Sequence, residues 1–349
     1  MDISPWQDSH TETATHKQLA AGVAHIQMQE KTEPATPAEP LFENPFAIED
    51  IMVFDDATLQ HMFSTGSFGL TLDDLAVSLQ GTSRPLIKRV RRNLPPSQRS
   101  HFMQRLRRPC SREQVDAARK RVLDELFWEL TYWKTPDLYE ELTEGEQVHP
   151  GIFRRLEPDL RGKIVLDAGA GSGRASFECV RHGARIVYAV EPSPGLLHIL
   201  ERKVANQPAN SRIVPYQGRF DQLPLQDASV DIALSCSAFT AVPEQGGECG
   251  LTELKRVTRP GGKIVLIWPR KEDYDWLIAH GFQYVTLPMH QEMRVRFRSL
   301  QSALRCARLF YARNRAVLHY ILRRRRPEVP FSVLGFNPPR DYCWLTVEQ

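Results

Sequence analysis

The chain has 349 residues, of which 42% are hydrophobic and 25% charged. That is the balance of an ordinary globular protein of about two domains. No apolar run nears the ~20 residues that a membrane-spanning helix needs, which excludes a helical membrane protein. The opening MDISPWQDSHTETATHKQ lacks a basic start and an apolar stretch, so no secretory leader is expected.

Six cysteines, at 110, 179, 236, 249, 306 and 343, form no CxxC pair. They make no disulfide framework, and a reducing cytoplasm is expected. The eleven histidines show no HxxxH or Cys/His cluster, so no metal site is expected. The net charge of +3 hides an asymmetry. Residues 1–79 hold 13 acids and 2 bases, and residues 80–121 hold 13 bases and 2 acids. Residues 291–326 hold 11 bases and 1 acid. Such blocks mark anionic partners, solvated helix faces, or pairing with acids of the same fold.

Residues 1–41 are polar and carry EKTEPATPAEP. They offer too little apolar surface to offset ordering entropy and read as a disordered tail. Residues 42–130 read as a small all-α domain. LDDLAVSLQ, PLIKRVRRNL and REQVDAARKRVLDELFWEL space apolar residues three and four apart. Asp55 or Asp56 is the expected cap of a first helix and Thr71 of a second. Glycines at 66, 69 and 81 and the Pro95-Pro96 pair punctuate between them.

From 131 to 290 the grammar is βαβ. KIVLDAG, RIVYAVE, RIVPYQG, VDIALSC and GKIVLIWP alternate with helical stretches, as in a mostly parallel sheet covered on both faces. Residues 291–349 form an extension. A long basic helix over RSLQSALRCARLFYARNRAVLHYILRRRR precedes a Pro-rich aromatic end expected to pack back on the sheet domain.

The segment KIVLDAGAGSGRAS is the most informative. A strand runs into Asp167, and Gly169, Gly171 and Gly173 follow at alternate positions before a helix. Glycines let the backbone come close to a ligand, and the helix start offers N–H groups to a carboxylate or phosphate. A nicotinamide fingerprint reads GxGxxG, whereas here the spacing is DxGxGxG. An acid ahead of the glycines suits a ligand with an amino or sulfonium charge. Glu191 ends the next strand, 18 residues beyond Gly173, where a carboxylate can accept both ribose hydroxyls.

Residues 150–288 resemble the class I, type 11-like, S-adenosylmethionine-dependent methyltransferases. Besides the glycine loop, GRFDQLPLQDASVDIALSCSAF, LTELKRVTRPGGKIVLIWP and DYDWLIAHGFQYVTLP resemble that family's later motifs, in the same order. The resemblance implies a Rossmann-like α/β fold with a mostly parallel seven-stranded sheet. It implies S-adenosylmethionine as cofactor, its methionine end held by Asp167, Gly169, Gly171 and Gly173. Glu191 would hold the ribose, Arg219, Phe220 and Asp221 would face the adenine, and Ser235 and Ser237 would edge the methyl donor. The family usually places an acid where Arg219 stands, and a guanidinium accepts no hydrogen bond. Asp221, or main chain with Phe220, would then serve the adenine. No catalytic residue or methyl acceptor is identified. Glu244 and Glu248 are candidate bases, each set against a plain solvated acid. Tyr132, Trp133 and Tyr139 are set between a lid over the cofactor and simple packing.

The helical domain resembles the C-terminal domain of the flagellar motor switch protein, through Phe46, Asp50, Ile51, Asp55, Asp56, Gln60, Leu79 and Gly81. The family's torque-bearing acids fall at Gln104 and Arg105, and its Lys before the Gly falls at Gln80. Arg99, Arg105, Arg107, Arg108 and Arg112 replace that charge pattern. The resemblance implies a docking module, and the arginines imply an anionic partner, a protein or an acidic stretch of the chain itself sooner than nucleic acid, set against a simply solvated face.

Overall fold

The computed structural model describes residues 44–64, 69–207 and 212–348. The stretch expected to be a disordered tail, 1–41, lies outside the described residues, as does Gly66.

The N-terminal part is helical because its caps and apolar spacing agree. Asp55 Oδ1 accepts the Thr58 amide at 2.7 Å ahead of the helix Asp56–Ser64, so Asp55 is the cap of the first helix. Thr71 Oγ1 accepts the Asp74 amide at 3.0 Å and starts Leu72–Ser78. Ser83 caps Arg84–Asn93, and Ser111 with Gln114 forms a reciprocal capping box on Arg112–Glu125. The helix Arg99–Arg107 lies between these two. With Phe127–Lys134, these helices bury Phe54, Leu59, Leu86, Phe102, Val122 and Leu130 in a hydrophobic cluster of their own.

The helical pattern runs on to the first strand through Pro136–Thr143 and Pro150–Leu160. The second of these sends Ile152, Phe153, Leu156 and Leu160 against the sheet. The strands are β1 (Ile164–Ala168), β2 (Ile186–Glu191), β3 (Ile213–Gln217), β4 (Val230–Cys236), β5 (Thr258–Ile267), β6 (Gln283–Thr286), β7 (Arg294–Arg296), β8 (Glu328–Pro330) and β9 (Asp341–Thr346). The main sheet has the order β3-β2-β1-β4-β5-β9-β6. Pairing is parallel from β3 through β5, and β9 is antiparallel to both β5 and β6. The fold is thus a Rossmann-like α/β type with a mostly parallel seven-stranded sheet, as expected. Apolar runs such as VLDA in β1 and ALSC in β4 are buried because helices cover both faces.

Two expectations change at the C-terminus. The long basic helix is two helices, Leu300–Leu309 and Arg315–Arg324, the second capped by the Asn314 side chain. The aromatic end does more than pack on the domain. Its DYCWLT stretch is a strand, β9, inserted between β5 and β6. Strands β7 and β8 form a separate two-stranded ribbon.

The first basic block is paired in part within the chain. Arg89 and Arg92 pair with Asp56, Arg105 with Asp73 at 3.7 Å, and Arg121 with Asp74 at 2.6 Å. Arg119 donates to the carbonyls of Ser78 and Gln80, and Arg99 to those of Leu94 and Arg92. The acids of residues 1–79 therefore include partners for residues 80–121. Among the described residues, no helix is long and apolar enough to cross a membrane.

Candidate functional site

The chain reverses its direction of travel across the sheet between β1 and β4, so a crevice opens at the carboxyl ends of these strands. The glycine loop, the end of β2 and the loop after β4 converge there. Gly169 sits at φ +71°, and a Cβ on it would stand 2.6 Å from Ala238 Cβ and 3.1 Å from the Phe220 ring. Gly171, at φ +55°, has nothing within 4 Å of where its Cβ would be, so its surface faces open space. Gly173 ends the loop and caps Arg174–Arg181.

Asp167 is fully buried. Its Oδ2 accepts the Ser176 hydroxyl at 2.5 Å, whereas its Oδ1 has no partner. Burial pushes its carboxyl up to about 6. An orphaned oxygen of this kind carries a desolvation cost that a cationic ligand removes. Glu191 is 5% exposed. Its Oε2 accepts the Gly171 amide at 2.8 Å and its Oε1 the Ser193 amide at 2.9 Å. Burial pushes it up to about 7, against the pull of those two amides. Each oxygen keeps a second lone pair for a ligand hydroxyl.

The remaining expected residues fall less simply. Asp221 is held by Arg219 through two hydrogen bonds of 3.1 Å, and His61 Nδ1 lies 3.7 Å from it. Its carboxylate is therefore already paired by the residue it was expected to replace. Phe220 packs edge-on against Phe239, with its ring close to Gly169. Ser235 is buried, and its Oγ accepts the Phe239 amide at 3.2 Å, which fixes the loop after β4. Ser237 is exposed at φ 60°, a left-handed conformation uncommon for a side chain and frequent at binding edges. Of the two candidate bases, Glu248 is engaged by Trp276 Nε1 at 3.0 Å and by His280, on a helix flank. Glu244 lines the cleft described next.

A cleft of about 80 Å³ lies beside Arg219, Phe220 and Asp221. Thr58, His61, Glu129, Trp133, Pro192, Arg219, Phe220 and Asp221 are among its walls. Helices ahead of the first strand thus supply one wall. Tyr132 and Tyr139 meet edge-on at 4.7 Å, and the Tyr132 carbonyl accepts the Ser193 hydroxyl at 2.7 Å. Burial raises both tyrosines, and the Glu191 charge adds to this.

Sequence reasoning passed over three charged residues here. Glu129, half-buried in FWELTYWK, is pushed by burial up to about 7 while Arg219 pulls it down. Its sequence signal was an acid among aromatics. Arg174, the first residue after the glycine loop, donates to the Glu146 carbonyl at 2.9 Å and lies over the Trp268 ring. The Glu146 carboxyl is buried and accepts the Tyr311 hydroxyl at 3.3 Å. Glu146 and Tyr311 are distant in sequence, so nothing local signals them.

Residues 166–266 match a family described as a methyltransferase domain. An uncharacterized methyltransferase of Mycobacterium tuberculosis is 35% identical over 114 residues, covering 32% of this chain and 43% of that protein. A dimethylglycine N-methyltransferase of Parasynechococcus marenigrum is 27% identical, covering 41% of this chain and 58% of that protein. The chain thus spans about half the length of these relatives. A solved S-adenosylmethionine-dependent methyltransferase from Mesorhizobium loti is 25% identical, with a TM-score of 0.28, covering 33% of this chain and 51% of that one. One from Aquifex aeolicus is 20% identical, with a TM-score of 0.32, covering 40% and 91%. The matched stretch 166–266 runs from within β1 to near the end of β5 and takes in the glycine loop and Glu191.

Proposed function

We propose that the chain is a cytoplasmic S-adenosylmethionine-dependent methyltransferase, with its cofactor held at the carboxyl ends of β1, β2 and β4. One observation carries this reading: the glycine loop is tied to the Glu191 carboxylate by its own Gly171 amide, beside the orphaned oxygen of Asp167. The residues suit the cofactor. Asp167 would answer the methionine ammonium, Gly169, Gly171 and Gly173 would let the methionine end lie against backbone, and Glu191 would take the ribose hydroxyls. Phe220, with Pro192, would face the adenine, and Asp221 would reach its amino group only by sharing itself with Arg219. Ser235 would hold the loop that borders the methyl group. The bound sulfonium supplies an already activated methyl, so the chain's task is to position the acceptor in line. Glu129, pushed by burial up to about 7, shares the cleft wall with Phe220 and Asp221 and so would face the adenine side. Small-molecule sites span roughly 300–1,000 Å³, so Phe220 and the aromatic helix must give way on binding.

Residues 42–130 act in this reading as a docking module, supported by the motor-switch resemblance. The alternative is a non-catalytic adaptor. The narrow cleft and the Arg219–Asp221 pair favour it. Calorimetry on the full chain with S-adenosylmethionine, S-adenosylhomocysteine and NAD separates the readings. Binding of the first two without the third supports the methyltransferase, and binding of NAD alone overturns it. Tritiated-methyl labelling of host lysate, sorted into protein, nucleic acid, lipid and small molecules, then separates enzyme from adaptor and names the acceptor class.

A further inference from the structure

The helix Arg315–Arg324 ends beside the β7–β8 ribbon, and a cavity of about 400 Å³ lies between them. Its lining is Arg294, Tyr320, Arg323, Arg324, Arg326 and Glu328. It shares no residue with the cleft at Glu129 and Pro192.

Four guanidiniums in one concavity repel each other unless something anionic joins them. A helix C-terminus attracts cations, which accounts for Arg323 and Arg324 but not for Arg294 on the ribbon. The arginines are also organised. The Tyr320 hydroxyl accepts from Arg294 Nη1 at 3.2 Å, and the Arg324 guanidinium stands 5.9 Å from the Tyr320 ring centre. Arg325 adopts φ 49°, a left-handed position that helices usually give to glycine, and Arg326 follows into the cavity. The local acids offset only part of this charge. Glu292 lies 4.0 Å from Arg294, and Glu328, the one acid in the lining, pairs with Arg296 at 3.9 Å and also favours the Arg294 charge. Among the described residues, no ion pair involves Arg323, Arg324 or Arg326. In the first basic block, by contrast, Asp56, Asp73 and Asp74 pair with Arg89, Arg92, Arg105 and Arg121.

We propose that this cavity is a binding site for adjacent phosphate groups, held by Arg294, Arg323, Arg324 and Arg326 with Tyr320 as their brace. Planar guanidiniums match phosphate oxygens two at a time, and the volume suits a compact polyphosphate or a few phosphates of a strand. The site needs no methyl donor and stands apart from the methyl-transfer reading.

The test titrates the full chain with inorganic tripolyphosphate and with a short single-stranded RNA, at low and moderate salt. Saturable binding should weaken about tenfold or more in Arg323→Glu/Arg326→Glu. It should stay within about twofold in Arg313→Glu/Arg315→Glu, whose arginines are exposed outside the cavity. The RNA's salt slope should fall by about 1.4 in the cavity pair, ~0.7 for each phosphate no longer neutralised. Melting curves check folding, and Arg323→Gln/Arg326→Gln replaces the Glu pair if it fails. Tighter RNA binding assigns the phosphates to a strand, and tripolyphosphate binding at least as tight assigns them to a compact ligand. No saturable binding of either probe, or equal losses in the two variant pairs, overturns the proposal.

Discussion

At the scale of the residue, the site rests on two carboxyl groups that the fold has made reluctant to ionise. Glu191 is buried yet held by two amides, so removing it loses hydrogen bonds and relieves a desolvation cost at once. Glu191→Ala should therefore leave the melting temperature of the free chain within a few degrees. Its S-adenosylmethionine affinity should drop by about tenfold to a few hundredfold, at ~1.5–3 kcal/mol per charge-assisted bond. Calorimetry and a melting curve read the two effects, and an unchanged Kd removes Glu191 from the site. Glu129 gives a pH signature. Its folded value of about 7 lies above that of an unfolded glutamate, so the free chain loses stability as pH climbs from about 4.5 to 7. Glu129→Gln removes that loss. The melting temperature of the variant relative to the parent should rise by a few degrees from pH 5 to pH 8, and a constant difference would mean that Glu129 ionises normally.

At the scale of the element, β9 illustrates what local pattern misses. DYCWLT lies after a Pro-rich stretch and pairs with nothing nearby in sequence. Yet it aligns five residues with β5 and four with β6. Its side chains explain the place it takes. Tyr342 and Cys343 are buried in the clusters on the sheet's two faces, and Trp344 and Leu345 pack against the same clusters. Deleting residues 341–349 should strip β6 of its neighbour and leave one edge of β5 unpaired. We expect loss of cooperative unfolding by circular dichroism, with aggregation through the exposed edge. A sharp melting transition near that of the full chain would show that β9 is dispensable. The glycine loop is the opposite case, because strand, acid, alternate glycines and helix all lie within one short stretch.

At the scale of the whole molecule, the helices ahead of β1 and the carboxyl ends of the strands build one cleft. Tyr132 holds Ser193 through its carbonyl, Lys203 pairs with Glu140, and Arg202 lies 3.6 Å from Asp137. Cofactor binding at Glu191 should therefore be felt on both sides. S-adenosylmethionine should slow amide exchange about tenfold or more in Phe127–Lys134 as well as in residues 169–176, because both must open together. Protection confined to the glycine loop would mean that the aromatic helix is only packing.

The sequence by itself determined the βαβ order, the cap at Thr71 with Asp55 or Asp56 ahead of it, and the acid-then-glycine loop with Glu191 one strand later. These are local features, set by periodicity, capping chemistry and the conformations open to glycine. Only the tertiary structure decided what each charge meets. It paired Asp221 with Arg219 and Glu248 with His280, and it put Glu129 on the cleft wall. It also set Asp56, Asp73 and Asp74 against the first basic block, while Arg323, Arg324 and Arg326 share one cavity and enter no ion pair among the described residues. Charge partners and burial depend on residues far apart in the chain that the fold brings together. A carboxylate's hydrogen bonds and pKa follow from those partners rather than from its neighbours in sequence.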